Sequence, residues 1–274
     1  AASAPCHYDG QLDEAIRDQR ELAADLRGAI DRHELDVHYQ VQTSVTTGEV
    51  TGYEALLRWT HPVRGPIPPT VFIPIAEANG FILTLGEWVM RRACSDAAAW
   101  AHGAKVAVNV SPLQLAHVDL PRLFHQILLD TGLPPRRLEI ELTETAIIAD
   151  RERALHVLRQ IKALGVGVAL DDFGTGYSSL ETLRAFPFDK IKLDRFFAAE
   201  LDGNIQSTAI LRAVLALGKS LSIPILAEGI ETSEQLDVLR REGCDEAQGF
   251  LIGRPGRSVP DGGAHETANE TRAA

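Results

Sequence analysis

Polar and acidic residues in this chain stand where short apolar runs stop. Val106-Ala-Val-Asn109 ends in an amide, Leu138-Glu-Ile-Glu141 in an acid, and Val166–Leu170 runs straight into Asp171-Asp172. Lys190-Ile-Lys192-Leu-Asp194 carries both signs of charge. Ile225-Leu-Ala-Glu228 follows, with Glu231 three residues on, and Glu54 lies in an earlier apolar run. If these runs are parallel strands, their carboxyl ends share one face, and Glu54, Asn109, Glu141, Asp171, Asp172 and Glu228 converge on it. Carboxylates gathered in a low-dielectric cleft repel one another unless a cation compensates. Hard divalent ions are the simplest compensation. A donor set of Asp, Glu and Asn oxygens suits magnesium or manganese, not zinc or copper. The adjacent Asp171 and Asp172 could engage neighbouring ions, one carboxylate bridging. Two ions ~3.5–4 Å apart are the arrangement that activates water and stabilises the leaving oxygen in phosphoester hydrolysis. Lys192 would add positive charge near the reacting phosphate. On spacing alone other roles stay open: Asp171 and Asp172 as caps of the following turn, Glu141 and Glu144 as a solvated pair, Lys192 as a plain ion-pair partner.

Something must hold these strand ends together. Apolar runs at 36–41, 50–57, 105–110, 138–142, 166–170, 189–193, 223–227 and 247–252 read as strands. Amphipathic stretches at 83–101, 119–131, 150–164, 178–185, 205–221 and 232–242 separate most of them, so strand and helix alternate and the sheet is largely parallel. The first two runs are exceptions. Only Thr43–Glu49 lies between them, with Thr47-Gly48 as the turn, too short for a parallel crossover. They predict an antiparallel hairpin. About eight strands in this length favour an α/β fold, a modified (β/α)8 TIM-like barrel with one antiparallel strand, over the alternative of an open doubly wound sheet. Before it, residues 1–31 read as a connector and an N-terminal helix, with Leu12, Ala15, Ile16, Leu22, Ala23, Leu26 and Ile30 on one face. The barrel domain occupies 32–257. The tail, 258–274, is poor in large apolar residues and reads as disordered.

Composition removes several function classes. A formal charge of −11 over 274 residues opposes broad binding to DNA, RNA or anionic membrane surfaces. It leaves room for an anionic small molecule, because bound cations invert the local field. No apolar run reaches the ~18 residues of a membrane span, and no signal peptide is visible. Cys6, Cys94 and Cys244 form no Cys-x-x-Cys pair and read as reduced thiols of a cytoplasmic domain. Asp172-Phe-Gly174 matches the kinase metal-binding triplet without the rest of a kinase. Gly174-x-Gly176-x-x-Ser179 lacks the third glycine of a dinucleotide loop and follows two acids that would repel a pyrophosphate. The glycines instead suit a tight loop over Asp172–Tyr177. His61, before Pro62, reads as a loop residue. Trp59, Trp88 and Trp100 read as core.

Glu54-Ala-Leu-Leu-Arg58-Trp59 resembles the signature of EAL-domain cyclic-di-GMP phosphodiesterases. The resemblance runs over roughly 35–256, through Asn109-Val-Ser111, Glu141-Leu-Thr-Glu144, Asp171 to Leu180, Lys190 to Asp194, Ala227-Glu-Gly-Ile-Glu231 and Gln248-Gly-Phe250, in the family's order. It implies that Glu54, Asn109, Glu141 and Asp171 bind a first Mg²⁺ or Mn²⁺, and that Asp171 and Asp172 bind a second with Glu228 in support. Lys192, Glu54 and Glu228 take the catalytic positions, Lys192 against the nucleophilic water. Arg58 matches a phosphate contact. Leu57, Gln40, Asp194 and Gln248 take the other substrate positions. Glu231 supports the site, and Glu144 holds the Asp172–Tyr177 loop. The implied reaction opens cyclic di-GMP to linear 5′-pGpG, by in-line attack of water with departure of the 3′ oxygen. Family members often form homodimers. His7-Tyr-Asp9 and the helix after it resemble the connector that follows a GGDEF domain in tandem proteins, which implies an upstream GGDEF or sensory partner. The family's Tyr-Gln-Pro is Tyr39-Gln40-Val41 here, a loss of a turn residue but of no ligand. A receptor that binds cyclic di-GMP with weak catalysis is the alternative. A glycosidase with paired carboxylates is another, but it explains neither Asn109 nor Lys192.

Overall fold

Helix α1 (Gly10–Arg27) leads into the hairpin β1 (Leu35–Ser44) and β2 (Val50–His61), then β3 (Gly65–Ile67), in a computed structural model that describes residues 10–148, 150–174, 180–199 and 205–259. Helices α2 (Pro69–Ala78) and α3 (Ile82–Ala99) precede β4 (Lys105–Asn109), and α4 (Pro112–His117) and α5 (Leu120–Thr131) precede β5 (Leu138–Thr143). Then come α6 (Glu144–Ile148), α7 (Arg151–Ala163), β6 (Gly167–Phe173), α8 (Leu180–Ala185), β7 (Lys190–Leu193), α9 (Arg195–Ala199), α10 (Ile205–Leu221), β8 (Ile225–Ala227), α11 (Ser233–Glu242) and β9 (Glu246–Gln248).

β2 and β4 to β9 pair in parallel order, and β1 closes the ring by pairing antiparallel with both β2 and β9. The result is the expected TIM-like barrel with its first strand reversed. β3 only extends β2. Period two sorts the side chains of each strand. Val106, Val108, Ile140, Leu142, Val168, Leu170, Ile191, Leu193, Ile225 and Ala227 are buried in the main apolar core. Many of the alternate positions are equally buried but polar: Gln42, Glu54, Glu139, Glu141, Lys190, Lys192 and Gln248. Several of these touch across strands that are not neighbours, which places them inside the ring.

Some elements differ from the sequence expectation. Residues 69–78 form a helix that went unread because Pro68, Pro69 and Pro74 crowd it. A proline in the first turn costs nothing there, and Pro74 removes only one backbone bond. The last strand is Glu246–Gln248, not 247–252. His61 is no loop residue. It ends β2, is buried, and lies with Nε2 3.2 Å from Asp25 of α1 while its Nδ1 accepts from the backbone N–H of Val63 and Arg64. The second half of α1 is thus tied to the barrel, with Leu22 and Leu26 packed against a second core around Trp59 and Phe72. The tail beyond Val259 and the loop residues Thr175–Tyr177 lie outside the described residues. No helix among the described residues is long and apolar enough to cross a membrane.

Two thiols make the core sensitive to alkali. Burial pushes Cys94 and Cys244 up to about 12 from 9.0. A raised folded-state value means the stability is fully present below the unfolded value and is lost as pH climbs from 9 toward 12. The unfolding free energy, and the urea midpoint with it, is therefore expected to fall above pH 9, the free energy by up to ~1.4 kcal/mol per pH unit for each thiol, and Cys94→Ala with Cys244→Ala should flatten that slope. A midpoint that is level from pH 8 to 11 in the parent chain contradicts this reading.

Candidate active site

Four acids, Glu54, Glu141 and Asp171 on strands and Glu228 just past the end of β8, meet one lysine at the carboxyl end of the barrel. Lys192 of β7 is fully buried. Its Nζ lies 2.6 Å from Glu141 Oε2, 2.7 Å from Glu228 Oε1, 3.4 Å from Asp171 Oδ2 and 3.7 Å from Glu54 Oε1. Parallel register brings them level: Asn109 pairs with Glu141 and Thr143 with Asp171. Of the lysine's partners Glu228 is the most open to solvent, at 21% against 0–12% for the others.

Glu54 is held from both sides. Asn109 Nδ2 donates to its Oε1 at 2.8 Å and Gln248 Nε2 to its Oε2 at 2.5 Å. Gln248 also donates to Gln40 Oε1 at 3.1 Å, and Gln40 Nε2 donates to the carbonyl of Gly253 at 3.0 Å. After Asn109 the chain turns at once into α4, where Ser111 and Gln114 form a reciprocal capping box. That turn fixes where the amide can reach.

Adjacent residues on a regular strand point to opposite faces, so Asp171 and Asp172 should not both reach the mouth. A break in register allows it. Between the pairs Leu170–Ile191 and Phe173–Leu193, the two aspartates stand against Lys192 alone. This is a β-bulge, a device that re-aims side chains. Asp172 takes a left-handed conformation, φ 54°, and the Asp171 carboxylate accepts its backbone N–H at 2.9 Å. Gly174 follows at φ 96°, where a Cβ would strike the Phe197 ring.

The charges settle as the geometry dictates. Burial alone would lower Lys192, but Glu141, Glu228, Glu54 and Asp171 outweigh it and hold the ammonium well above its ordinary range. Burial raises Glu141 well above the usual carboxylate value, against Lys192. Glu228 is pushed by burial up to about 8. Burial also acts upward on Glu54, yet Lys192 and the hydrogen bonds from Gln248 and Asn109 bring it below its ordinary value. Asp172 is raised by burial and by Asp171 beside it.

The expected metal donors are all at this mouth, and all offer oxygen. Among the described residues no three of the acids already stand in a ligating arrangement, because four of them turn to Lys192. One observation nevertheless fits a cation: Glu141 Oε1 is buried without a hydrogen-bond partner, a costly state for a carboxylate oxygen. The residues fit Mg²⁺ or Mn²⁺ by donor chemistry.

The remaining sequence-predicted residues line the approaches. One cleft of about 330 Å³ is walled by Leu57, Arg58, Ile73, Glu77 and Asn109. Another, of about 270 Å³, is walled by Gln40, Glu54, Glu228, Glu231, Gln248 and Phe250, and both include Leu56. A larger cleft of about 670 Å³ opens between α10 and α11, near Pro224 and Asp245 where β8 and β9 begin, and holds none of these residues. Arg58 is half-buried, and desolvation weakens its hold on the proton. It donates to the Leu57 carbonyl at 3.1 Å, and no carboxylate among the described residues pairs with it. Asp194 accepts the Phe196 N–H at 2.8 Å and starts α9. Glu144 is buried at the start of α6, but Thr175–Tyr177 of the loop it was expected to hold fall outside the described residues. Glu231 is exposed on the cleft wall and takes no part in the Lys192 cluster. Sequence reasoning missed the polar layer beneath, Gln42, Glu139, Lys190 and Glu246. Each stands two residues before or after a residue already singled out, which is the period of an inward-facing strand position.

Comparison with known proteins places this geometry. The family model described as EAL domain matches residues 23–255. A Caulobacter vibrioides protein named "Uncharacterized signaling protein" is 57% identical over 248 residues, 90% of this chain and 31% of its own length. The Pseudomonas aeruginosa "Bifunctional diguanylate cyclase/cyclic di-GMP phosphodiesterase MucR" is 42% identical over 254 residues, 91% of this chain and 37% of its own. The chain thus spans about a third of the length of the relatives it matches. A solved structure titled "PaMucR Phosphodiesterase, c-di-GMP complex" superposes with a TM-score of 0.82 at 44% identity, covering 86% of this chain and 97% of that one.

Proposed function

This chain belongs to the EAL domain family, and from that premise we propose that its barrel mouth hydrolyses cyclic di-GMP to linear 5′-pGpG with Mg²⁺ or Mn²⁺. The observation that carries the reading is the convergence of Glu54, Glu141, Asp171 and Glu228 on one buried lysine, beside Asn109 and Asp172. Glu54, Asn109, Glu141, Asp171, Asp172 and Glu228 would hold the ions. When bound, such ions supply Lewis-acid polarisation of the phosphate and charge neutralisation at the attacking and leaving oxygens.

The chain's own groups do the rest. Lys192 keeps its proton at neutral pH, so it is not the base. It neutralises its carboxylate partners and offers N–H to the attacking water. Glu228, the most open of the lysine's four carboxylate partners, takes in its ionised form the proton that the water gives up. The water oxygen bonds to phosphorus, the bond from phosphorus to the 3′ oxygen breaks, and that oxygen leaves as a hydroxyl by taking a proton from solvent, to which Glu228 later returns the one it accepted. Arg58, a half-buried cation that no carboxylate among the described residues pairs with, receives a phosphate of the substrate. The clefts on either side of the acids suit the two halves of a cyclic dinucleotide.

The names of the relatives support the same substrate, MucR being called a cyclic di-GMP phosphodiesterase. The diguanylate cyclase part of that name, together with the length of the relatives, supports a GGDEF or sensory domain upstream in the full-length protein. A homodimer is part of the proposal. The test is incubation of the purified chain with cyclic di-GMP and Mn²⁺, read by nucleotide chromatography. A pGpG peak that EDTA abolishes is expected. Calorimetric binding without any product would transfer the chain to the receptor class.

A further inference from the structure

A second polar layer lies under the catalytic one, and its hydrogen bonds run in one direction only. Lys190 is 3% exposed, and its Nζ donates to Gln42 Oε1 at 3.2 Å. Gln42 Nε2 donates to Gln248 Oε1 at 2.9 Å, and Gln248 Nε2 donates to Glu54 Oε2 at 2.5 Å. An ammonium can only donate, and an ionised carboxylate can only accept. A primary amide does either, depending on which way it is turned. With a donor-only group at one end and an acceptor-only group at the other, both glutamines have one allowed orientation. Turning Gln42 would aim its NH₂ at the ammonium. Turning Gln248 would aim its carbonyl at the carboxylate of Glu54.

The side branch obeys the same direction. The second proton of Gln248 goes to Gln40, whose own NH₂ ends on a backbone carbonyl. The lysine end is fixed by charge. Its Nζ lies 2.9 Å from both Glu139 and Glu246, close in distance though off the hydrogen-bonding angle. Gly52, opposite Gln42 in the hairpin, leaves the room: a Cβ there would stand 3.3 Å from Gln42 Oε1.

We propose that Lys190 and Gln42 are positioning residues: through the two-glutamine relay they fix which atom of Gln248 faces Glu54, and so hold the Glu54 carboxylate in its working orientation. Neither residue reaches the mouth. The consequence for turnover rests on the phosphodiesterase reading; the consequence for the amide does not.

The experiment uses ¹⁵N-labelled protein. In the parent chain the side-chain NH₂ protons of Gln42 and Gln248 should exchange slowly with D₂O. Gln42→Met keeps the volume and the ion cluster but cuts the relay. Gln42→Glu keeps the shape but gives Gln248 an acceptor-only neighbour, which turns its NH₂ away from Glu54. The charge-balanced pair Lys190→Met with Glu246→Gln removes the donor end without touching Gln248. In all three the Gln248 NH₂ resonances should move, and in Gln42→Met and the charge-balanced pair they should also lose protection, with thermal melting used to select folded protein. Turnover should fall ~10-fold in Gln42→Met, the loss of about one oriented hydrogen bond. It should fall further in Gln42→Glu, with KM within about twofold of the parent in both. Folded variants whose Gln248 resonances and protection match the parent overturn the relay. If the amide behaves as expected but the parent hydrolyses no cyclic di-GMP, the relay stands and the phosphodiesterase reading is the part that fails.

Discussion

Replacing Lys192 by Met is expected to lower the turnover of cyclic di-GMP by ~10²–10³-fold and to destabilise the protein when divalent ions are withheld. Both effects have one cause. Lys192 is the charge shared by Glu141, Glu228, Asp171 and Glu54, at 2.6 to 3.7 Å. Remove it and buried carboxylates face one another with nothing between them. Breaking a buried ion pair by deleting one partner costs about 3–5 kcal/mol, and a preorganised charge at a reacting centre is worth about 10²–10³ in rate. The oxygen-only donor set adds a distinguishing feature. Mn²⁺ should raise the melting temperature of Lys192→Met more than that of the parent, while activity stays lost. A variant that melts like the parent in EDTA would mean that the lysine is not the compensating charge.

Glu54→Gln is expected to be nearly inactive although it changes only one atom. Glu54 accepts from Asn109 on one oxygen and from Gln248 on the other. Glutamine has a single acceptor, so one of those donors must face an NH₂, at a cost of about 1–3 kcal/mol for the unsatisfied group. The change also removes one of the negative charges around Lys192. A loss of ~10³-fold in kcat corresponds to about 4 kcal/mol of transition-state stabilisation. Folded Glu54→Gln protein that retains parental kcat would take Glu54 out of the working set. The steady-state measurement should be paired with a melting curve, so that lost chemistry is separated from lost fold.

The barrel was legible because its strands are short, apolar and bounded, and because only Thr43–Glu49 joins the first two. Strand-end acids were legible for the same reason: a polar residue after four apolar ones stands out. What escaped notice lay one step further down the same strands. Glu139 precedes Glu141 by two and Lys190 precedes Lys192 by two, so both face inward, yet each reads locally as a surface charge interrupting an apolar run. Gln42 and Glu246 are quieter still, since their meaning depends on which strands become neighbours when the ring closes. The bulge at Asp171-Asp172 could not be read at all from one strand, because it exists only as a mismatch with β7. The same segment produced the misleading resemblance to a kinase triplet. Prolines hid α2, and Pro62 disguised His61, whose burial comes from α1 packing over it.

These observations give Glu54 more neighbours than its own strand predicts: an amide from β4, an amide from β9, and through that second amide a lysine two residues below Lys192. The reversed strand β1 makes this possible. Gln40 and Gln42 reach Gln248 because β1 pairs antiparallel with β9, with Gln42 directly opposite Gln248. A wholly parallel ring would present a different register at that seam.

Whether water opens a phosphodiester at this mouth is read in ¹⁸O-labelled water. The chain is incubated with cyclic di-GMP and Mn²⁺, and the products are weighed by mass spectrometry. Linear pGpG carrying one ¹⁸O atom on its 5′ phosphate is expected, with little or none from Lys192→Met. Cyclic di-GMP recovered intact from protein that binds it would mean that the mouth holds the nucleotide without hydrolysing it.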